Sequence, residues 1–331
     1  MMVTVAPPPL KYSHTIGLLA LTGRGFSNPM NTAVTDAGIL YVANRSNSFQ
    51  ALQGAVRITV CNIEGEYLSE FGSYGTEDGS FVWPTGIDVD SKGNVYLADE
   101  HRNDVQVWDK DHNFARKWGG GPGDGDAEMN RPAGLAVDSH DDVVVSDGLN
   151  NRILKFSPEG KLLAKWGSAG TGEGQFNMPW GVGVDGGGNV YVADWRNDRV
   201  QKFSPDGKYL ASFGSSGSDT GQLKRPADVA VDSDGNVYVA DWGNERVSVF
   251  EADGYPLTTL LGDADLSRWG GEYISANEDI IRGRQIAADM SLEKRFWGPT
   301  GVAVDQAGHV LIVESCRHRV QVYDRVQYDD F

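Results

Sequence analysis

The chain repeats one pattern six times, and this repetition constrains its fold more than any other feature. Around Pro226 the pattern reads Pro226-Ala-Asp-Val-Ala-Val-Asp232, then Gly235-Asn-Val-Tyr-Val-Ala-Asp241, then Asn244-Glu-Arg246-Val-Ser-Val-Phe250. Equivalent segments begin at Pro29, Pro84, Pro132, Pro179 and Pro299, spaced 55, 48, 47, 47 and 73 residues apart. A period near 47 that holds several short strands is that of a β-propeller blade. In the fourth repeat the strand-like runs are Val182–Val184, Asn189–Ala193, Arg199–Phe203 and Tyr209–Phe213. Glycine and proline in the turns Asp185–Asn189 and Ser204–Gly207 supply the backbone angles of tight hairpins. Four antiparallel strands per unit predict an all-β, six-bladed β-propeller spanning residues 1–331 as one domain.

A ring must close. Ile16-Gly-Leu-Leu-Ala20, ahead of Gly23 and Phe26, is similar to a fourth strand such as Leu162–Trp166, and the last repeat stops after its third strand, at Tyr323. Residues 14–21 are therefore expected to complete the sixth blade and cover its open edge. Two insertions interrupt the pattern, one between Asn44 and Ile58 and one between Gly262 and Pro299. In the second, Ser275-Ala-Asn-Glu278 reads as a capping box that opens a helix toward Met290. Segment 263–295 is thus expected to be a partly helical insertion on the loop face, able with the first insertion to cover one side of the central funnel.

The pattern Pro-x-Gly-x-Ala-Val-Asp, then Gly-Asn-Val-Tyr-Val-Ala-Asp, then Asn-x-Arg-Val-x-x-Phe resembles the NHL repeat family over residues 25–325. The match is best at Pro132–Phe156, Pro179–Phe203 and Pro226–Phe250. The first repeat departs most, with Met30-Asn31 after its proline and Asn44 in place of aspartate. The resemblance implies a fold and not one function, because NHL propellers include enzymes, RNA binders and protein scaffolds. It also reaches the peptide-amidating lyases, whose zinc histidines stand directly after the repeat proline. Here those places hold Met30, Thr85, Ala133, Trp180, Ala227 and Thr300, so no metal and no cofactor is expected on that ground.

Residues that recur in every blade are read as structural. Asp99, Asp147, Asp194 and Asp241, with Arg152, Arg199, Arg246 and Arg319, are expected to hold the turn between strands two and three. Function is sought where blades differ. Two residues after the proline a ring of glycines is broken by Asn31 and Asp228. Directly after the strand-two aspartate stand Arg45, Glu100, Gly148, Trp195, Trp242 and Ser315. Trp180, Trp195 and Trp242 suggest an aromatic wall for a ligand, the competing reading being packing of blade on blade. Met30, Thr85, Thr300, Arg45, Arg196 and Arg317 complete the expected ligand-binding set. His101, His318, Glu100 and Asp228 are the candidates for general acid or base. Cys61, at a third-strand aromatic position, is read as a buried core thiol, and Asp124-Gly-Asp126-Ala-Glu128 as an acidic turn.

The formal charge of −17 disfavours nucleic acid and anionic membrane as partners. No 18 consecutive residues are apolar, and the start MMVTVAPPPLKYSH lacks the basic and apolar regions of a signal peptide, so a cytoplasmic monomer is expected. Two cysteines are too few for a disulfide framework. The sequence points first to recognition of a small molecule or peptide in the funnel of the loop face. The alternatives are a metal-independent lyase or hydrolase in the same funnel, and a scaffold that binds a protein partner.

Overall fold

Valine-rich runs after each proline favour strands, because β-branched side chains pack well on a pleated sheet covered on both faces. The computed structural model, which describes residues 10–45, 53–126, 128–286 and 289–325, folds each repeat into a four-stranded antiparallel sheet. Blade 4 is representative, with Pro179–Val184, Val190–Asp194, Arg199–Phe203 and Tyr209–Phe213 hydrogen-bonded in chain order. The proline opens the innermost strand, opposite Asp194, at a place where a missing N–H is tolerated. Innermost strands of successive blades pack side by side, and that of blade 6 meets that of blade 1, so the ring closes. No helix among the described residues is long and apolar enough to cross a membrane.

The apolar core lies in the seams between blades. Ile58 and Val60 of blade 1 pack against Val95, Leu97 and Trp108 of blade 2. Tyr191, Val200 and Phe213 of blade 4 pack against Val229, Val237 and Val239 of blade 5. Cys61 is buried in the blade 6–1 seam, and burial pushes its thiol up to about 12.

Polar groups fix each turn beside the seams. The Asp194 carboxylate is wholly buried; its Oδ1 accepts the Asn177 amide at 2.8 Å, and its Oδ2 accepts the Asn197 side chain at 2.8 Å and Arg199 Nε at 3.0 Å. Asp147 gathers the Asn130 amide, Asn150 and Arg152, and Asp241 the Lys224 amide, Asn244 and Arg246. Each arginine then donates to carbonyls of its own inter-blade link, as Arg199 does to Gly172 and Gln175. In blade 6 Glu314 accepts from the Trp297 amide at 3.0 Å and from Arg319 at 2.5 Å. Asn44 keeps one acceptor for the Ser27 amide and donates its NH2 to the Val42 and Arg57 carbonyls.

The turn ends on a left-handed residue, and that residue staples the next blade. Asn103, Asn151, Asp198 and His318 have φ of 59°, 53°, 53° and 54°. Their side chains accept the amides that precede the next proline, those of Arg131, Met178, Arg225 and Asn28, at 2.8, 2.8, 2.7 and 3.0 Å. Asparagine and aspartate tolerate this backbone, which is why they recur there. His318, expected as an acid or base of the funnel, is set instead in the ring-closing seam, where Nδ1 must be unprotonated to accept.

Closure uses a strand earlier than expected. Leu10–Ile16, not residues 14–21, pairs with Arg319–Arg325, from Leu10 opposite Arg325 to Ile16 opposite Val320. The glycine that ends the outer strand is Gly17, at φ 111°, with the Phe26 ring against it as Phe176 lies against Gly167. Gly23 belongs to the link that follows.

The second insertion leaves and returns at one point, since the Phe296 amide donates to Leu261 O and the Ala264 amide to Lys294 O, both at 3.0 Å. It carries α1 (Arg268–Ser275), α2 (Glu278–Ile286) and α3 (Ser291–Lys294). Ser267 caps α1 by accepting the Gly270 amide at 3.0 Å. The expected capping box at Ser275 does not form: Ser275 ends α1, and Asn277 accepts the Ile280 amide at 3.3 Å ahead of α2. Trp269 is 2% exposed, donates Nε1 to Gly65 O at 2.6 Å and meets the Phe26 ring at 5.6 Å. This part of the insertion is therefore wedged into the blade 6–1 seam rather than spread over the funnel. Of the first insertion, residues 46–52 lie outside the described residues.

Two outcomes follow from the seam. Trp269→Ala removes a buried indole and is expected to cost about 3–5 kcal/mol of unfolding free energy, measured by chemical denaturation; a loss below about 1 kcal/mol would remove Trp269 from the core. Burial holds the His318 imidazole below its ordinary range, so the unfolded chain binds this proton first as pH falls, and the staple's contribution declines below about pH 6.5. His318→Asn supplies the acceptor that blades 2 and 3 use and does not titrate. Its melting temperature should fall less than the parent's between pH 7.5 and 5; equal falls would show that the imidazole carries no pH dependence.

Candidate functional site

The aspartate-centred turn sets where the funnel's side chains stand. Because Asp194 and Asp241 each close a short 3-10 turn, the residue directly after them, Trp195 or Trp242, is placed at the mouth of the ring. Trp180, one residue past its proline on the inner strand, joins them. The ring centroids of Trp180 and Trp195 are 5.4 Å apart and those of Trp195 and Trp242 are 5.3 Å apart, at interplanar angles of 35° and 41°. All three indoles are half-buried, and Trp195 and Trp242 also touch the blade 5–6 core. The three indoles form a continuous ladder over blades 4 and 5, and two of them also take part in packing.

Across the mouth, on blades 1 to 3, the character changes. Trp83 has the guanidinium of Arg45 at 4.6 Å from its ring centroid and that of Arg131 at 5.5 Å. Glu100, 3% exposed, pairs with both, through Oε2 to Arg45 at 2.8 Å and Oε1 to Arg131 at 3.3 Å. His101 is exposed and sets its ring edge-on to Trp83 at 5.2 Å.

Below the mouth, Asn31, Asp88 and Asp228 face a central channel of about 140 Å³ that is otherwise lined by small and aliphatic residues. Burial pushes the Asp228 carboxyl up to about 7 against the Val302 amide, which Oδ2 accepts at 3.0 Å, and against the Val229 amide and Asn31. Burial likewise raises Asp88 to about 6, although it accepts the Val137 and Val89 amides at 2.8 Å each. Asp88 escaped the sequence reading. Its signal was present: four residues past the proline the other blades carry Ala33, Ala136, Gly183, Ala230 and Ala303.

The remaining candidates divide. Thr85 is buried and donates to Ala98 O and Pro132 O, and Thr300 donates to Pro29 O, so both hydroxyls serve seams. Met30 is half-buried at the inner mouth, and Arg196 is exposed beside the ladder. Arg317 turns away to stack on Trp297 at 5.2 Å and to donate to Leu292 O at 2.8 Å. The four acid–base candidates occupy separate places: His101 at the rim, Glu100 beneath two arginines, Asp228 in the channel and His318 in a seam. Among the described residues no three His, Cys, Asp or Glu side chains gather as a metal-binding group would.

Against known proteins, residues 81–108, 129–156, 176–203, 223–250 and 296–323 match the NHL repeat, one match in each of blades 2 to 6. A probable peptidyl-alpha-hydroxyglycine alpha-amidating lyase of Caenorhabditis elegans, pgal-1, is 32% identical over 116 residues, 34% of this chain and 32% of that protein. The RING finger protein nhl-1 of Caenorhabditis elegans is 41% identical over 83 residues, 25% of this chain and 8% of that protein. Protein brain tumor of Drosophila melanogaster is 27% identical over 104 residues, 31% of this chain and 10% of its own length. The chain thus spans a third or less of these relatives. Among solved structures, virginiamycin B lyase from Staphylococcus aureus superposes with a TM-score of 0.58 at 14% identity, over 96% of this chain and 99% of that one. A streptogramin B lyase gives 0.57 at 13% identity. At such identities the likeness is one of fold.

The channel acids yield a pH expectation. The folded-state pKa of Asp228 lies above its unfolded value, so the native state binds the extra proton. The stabilisation is complete below about pH 4 and is lost as pH rises through 7. Asp228→Asn is therefore expected to be more stable than the parent at pH 8 by about 2–4 kcal/mol and to match it near pH 4. Denaturant titrations at the two pH values decide this, and an equal difference at both would show that the carboxylate does not titrate in this range.

Proposed function

We propose, from the premise that the chain belongs to the NHL-repeat family of β-propellers, that it is a recognition protein whose loop face takes a small molecule or peptide at the funnel mouth. The observation that carries this is the ladder Trp180–Trp195–Trp242, whose rings lie 5.4 and 5.3 Å apart and half-open to solvent. Three adjacent indoles give a rigid apolar surface with little side-chain entropy left to lose, as binding anchors do. Trp195 and Trp242 stand on turns and Trp180 near the start of an inner strand, so each indole keeps part of its surface open at the mouth.

Recognition is favoured over turnover because the acid–base candidates do not converge. Both oxygens of Glu100 are held by guanidinium groups, and His101 packs on Trp83. The lyase reading rests on pgal-1, of which this chain spans 32%, and on two streptogramin-type lyases whose likeness is one of fold. The scaffold reading rests on relatives such as nhl-1, of which this chain spans 8%.

Trp195→Ala and Trp242→Ala are each expected to weaken ligand binding by roughly 1–3 kcal/mol, with Trp180→Ala at least as large. The ligand is recovered by native mass spectrometry of the purified protein or by selection from a random peptide library, and binding is followed by calorimetry. Thermal melts of the same variants separate the two roles of the ladder. If all three variants melt early while their folded fraction binds as the parent does, the indoles only pack blade on blade.

A further inference from the structure

We infer that the ligand is an apolar or aromatic molecule carrying a carboxylate, and that Arg45 and Arg131 hold the carboxylate while the tryptophan ladder takes the apolar part. This rests on the reading of the mouth as a binding site and assigns its ligand class.

The chain's formal charge is −17, yet the mouth collects cations. Arg45 and Arg131 share one carboxylate, Glu100, and among the described residues no other carboxylate lies within 4.0 Å of either guanidinium. Two positive charges against one leave a net positive clamp. A guanidinium has five N–H donors, and Glu100 occupies few of the ten. Arg131 keeps 42% of its side chain exposed and Arg45 20%, so donors remain open to solvent. Stacking on Trp83 holds both groups in place before any ligand arrives, which lowers the ordering cost of binding. A planar carboxylate matches the guanidinium fork.

The clamp stands on blades 1 to 3 and the ladder on blades 4 and 5, so a ligand that uses both must reach across the mouth. Beneath it, the channel is lined by Asp88 and Asp228 and by small and aliphatic residues, with no cation among these described residues to meet an anion, which keeps the carboxylate at the rim. A long polyanion is disfavoured: it would run from the small cationic mouth onto links that carry Glu77, Asp78, Asp124, Glu128 and Asp219.

The test uses matched pairs on the intact protein, 3-indolepropionate and 4-phenylbutyrate beside their primary amides, with the blocked dipeptide acetyl-Trp-Asp-amide and a single-stranded oligonucleotide as further arms. Binding is read by calorimetry at low and at 0.5 M salt. The free acids are expected to bind about tenfold or more tightly than their amides, as a charge-assisted pair implies, and the preference should shrink at high salt. Arg131→Gln and Arg45→Gln should weaken the acids far more than the amides and so remove the acid preference. Should the arginine variants fail to fold, Glu100→Gln takes their place: without its counter-charge the clamp should bind acids more tightly, and unchanged or weaker binding overturns the assignment. Tighter binding of the blocked dipeptide than of the free acids keeps the carboxylate and moves its source to a peptide side chain. Equal binding of acid and amide overturns the clamp, while a loss on Trp195→Ala in the same assay still supports the ladder. Binding of the oligonucleotide above every acid, or of no acid at all, also overturns it. A ligand of another class recovered from the native protein and lost on Trp195→Ala would leave the recognition reading standing.

Discussion

A buried side chain at the end of each second strand, a carboxylate in blades 2 to 6 and the Asn44 amide in blade 1, is the interaction on which the molecule depends. A charge in such a place is costly unless every lone pair is met. Asp147, Asp194 and Asp241 meet this demand with a link amide, an asparagine side chain and an arginine; burial still raises each carboxyl, and the hydrogen bonds oppose that push. The same few contacts do three jobs. They stop the second strand, fold the turn, and fasten the link that carries the chain to the next blade.

That uniform frame makes the departures informative. With the turn fixed, a single substitution after the aspartate changes what the mouth presents without disturbing the blade. Glycine at 148 lets the turn close on the Arg131 carbonyl, which a Cβ would meet at 2.9 Å, tryptophan at 195 and 242 builds a wall, and glutamate at 100 draws two arginines over Trp83. The ring is therefore polarised across its mouth, aromatic on one side and cationic on the other, while its strands stay nearly interchangeable. The channel follows the same logic, since Asp88 and Asp228 each replace one small residue in a ring of small residues.

Six blades were legible because the contacts that define a blade are short in sequence: Asp194 reaches Asn197 and Arg199 within one turn. The tryptophan ladder was legible for the same reason, each indole of the turn pair standing beside a landmark aspartate. What escaped reading depends on partners far away in the chain. The closing strand was placed four residues late because Gly23 and Gly17 look alike until Phe26 is seen lying on Gly17. His318 looked like loop chemistry until the Asn28 amide appeared opposite its ring. The insertion looked like a funnel cover because nothing local says that Trp269 enters a seam with Phe26.

The pairing of Leu10–Ile16 with Arg319–Arg325 also sets an order of events at the ribosome. Blades 2 to 5 are each made of hairpins that can form as they emerge. The first strand emerges early and finds its partner only after the rest of the ring has been made, the contact of greatest sequence separation and so the slowest to be met. Until then blade 6 shows an unpaired edge, and the apolar side of blade 1 that will receive Trp269 and Phe26 stands open, surfaces that invite wrong partners. The ring is thus most exposed to misassembly when it is nearly closed, and the strand that docks last was made before every other strand of the ring.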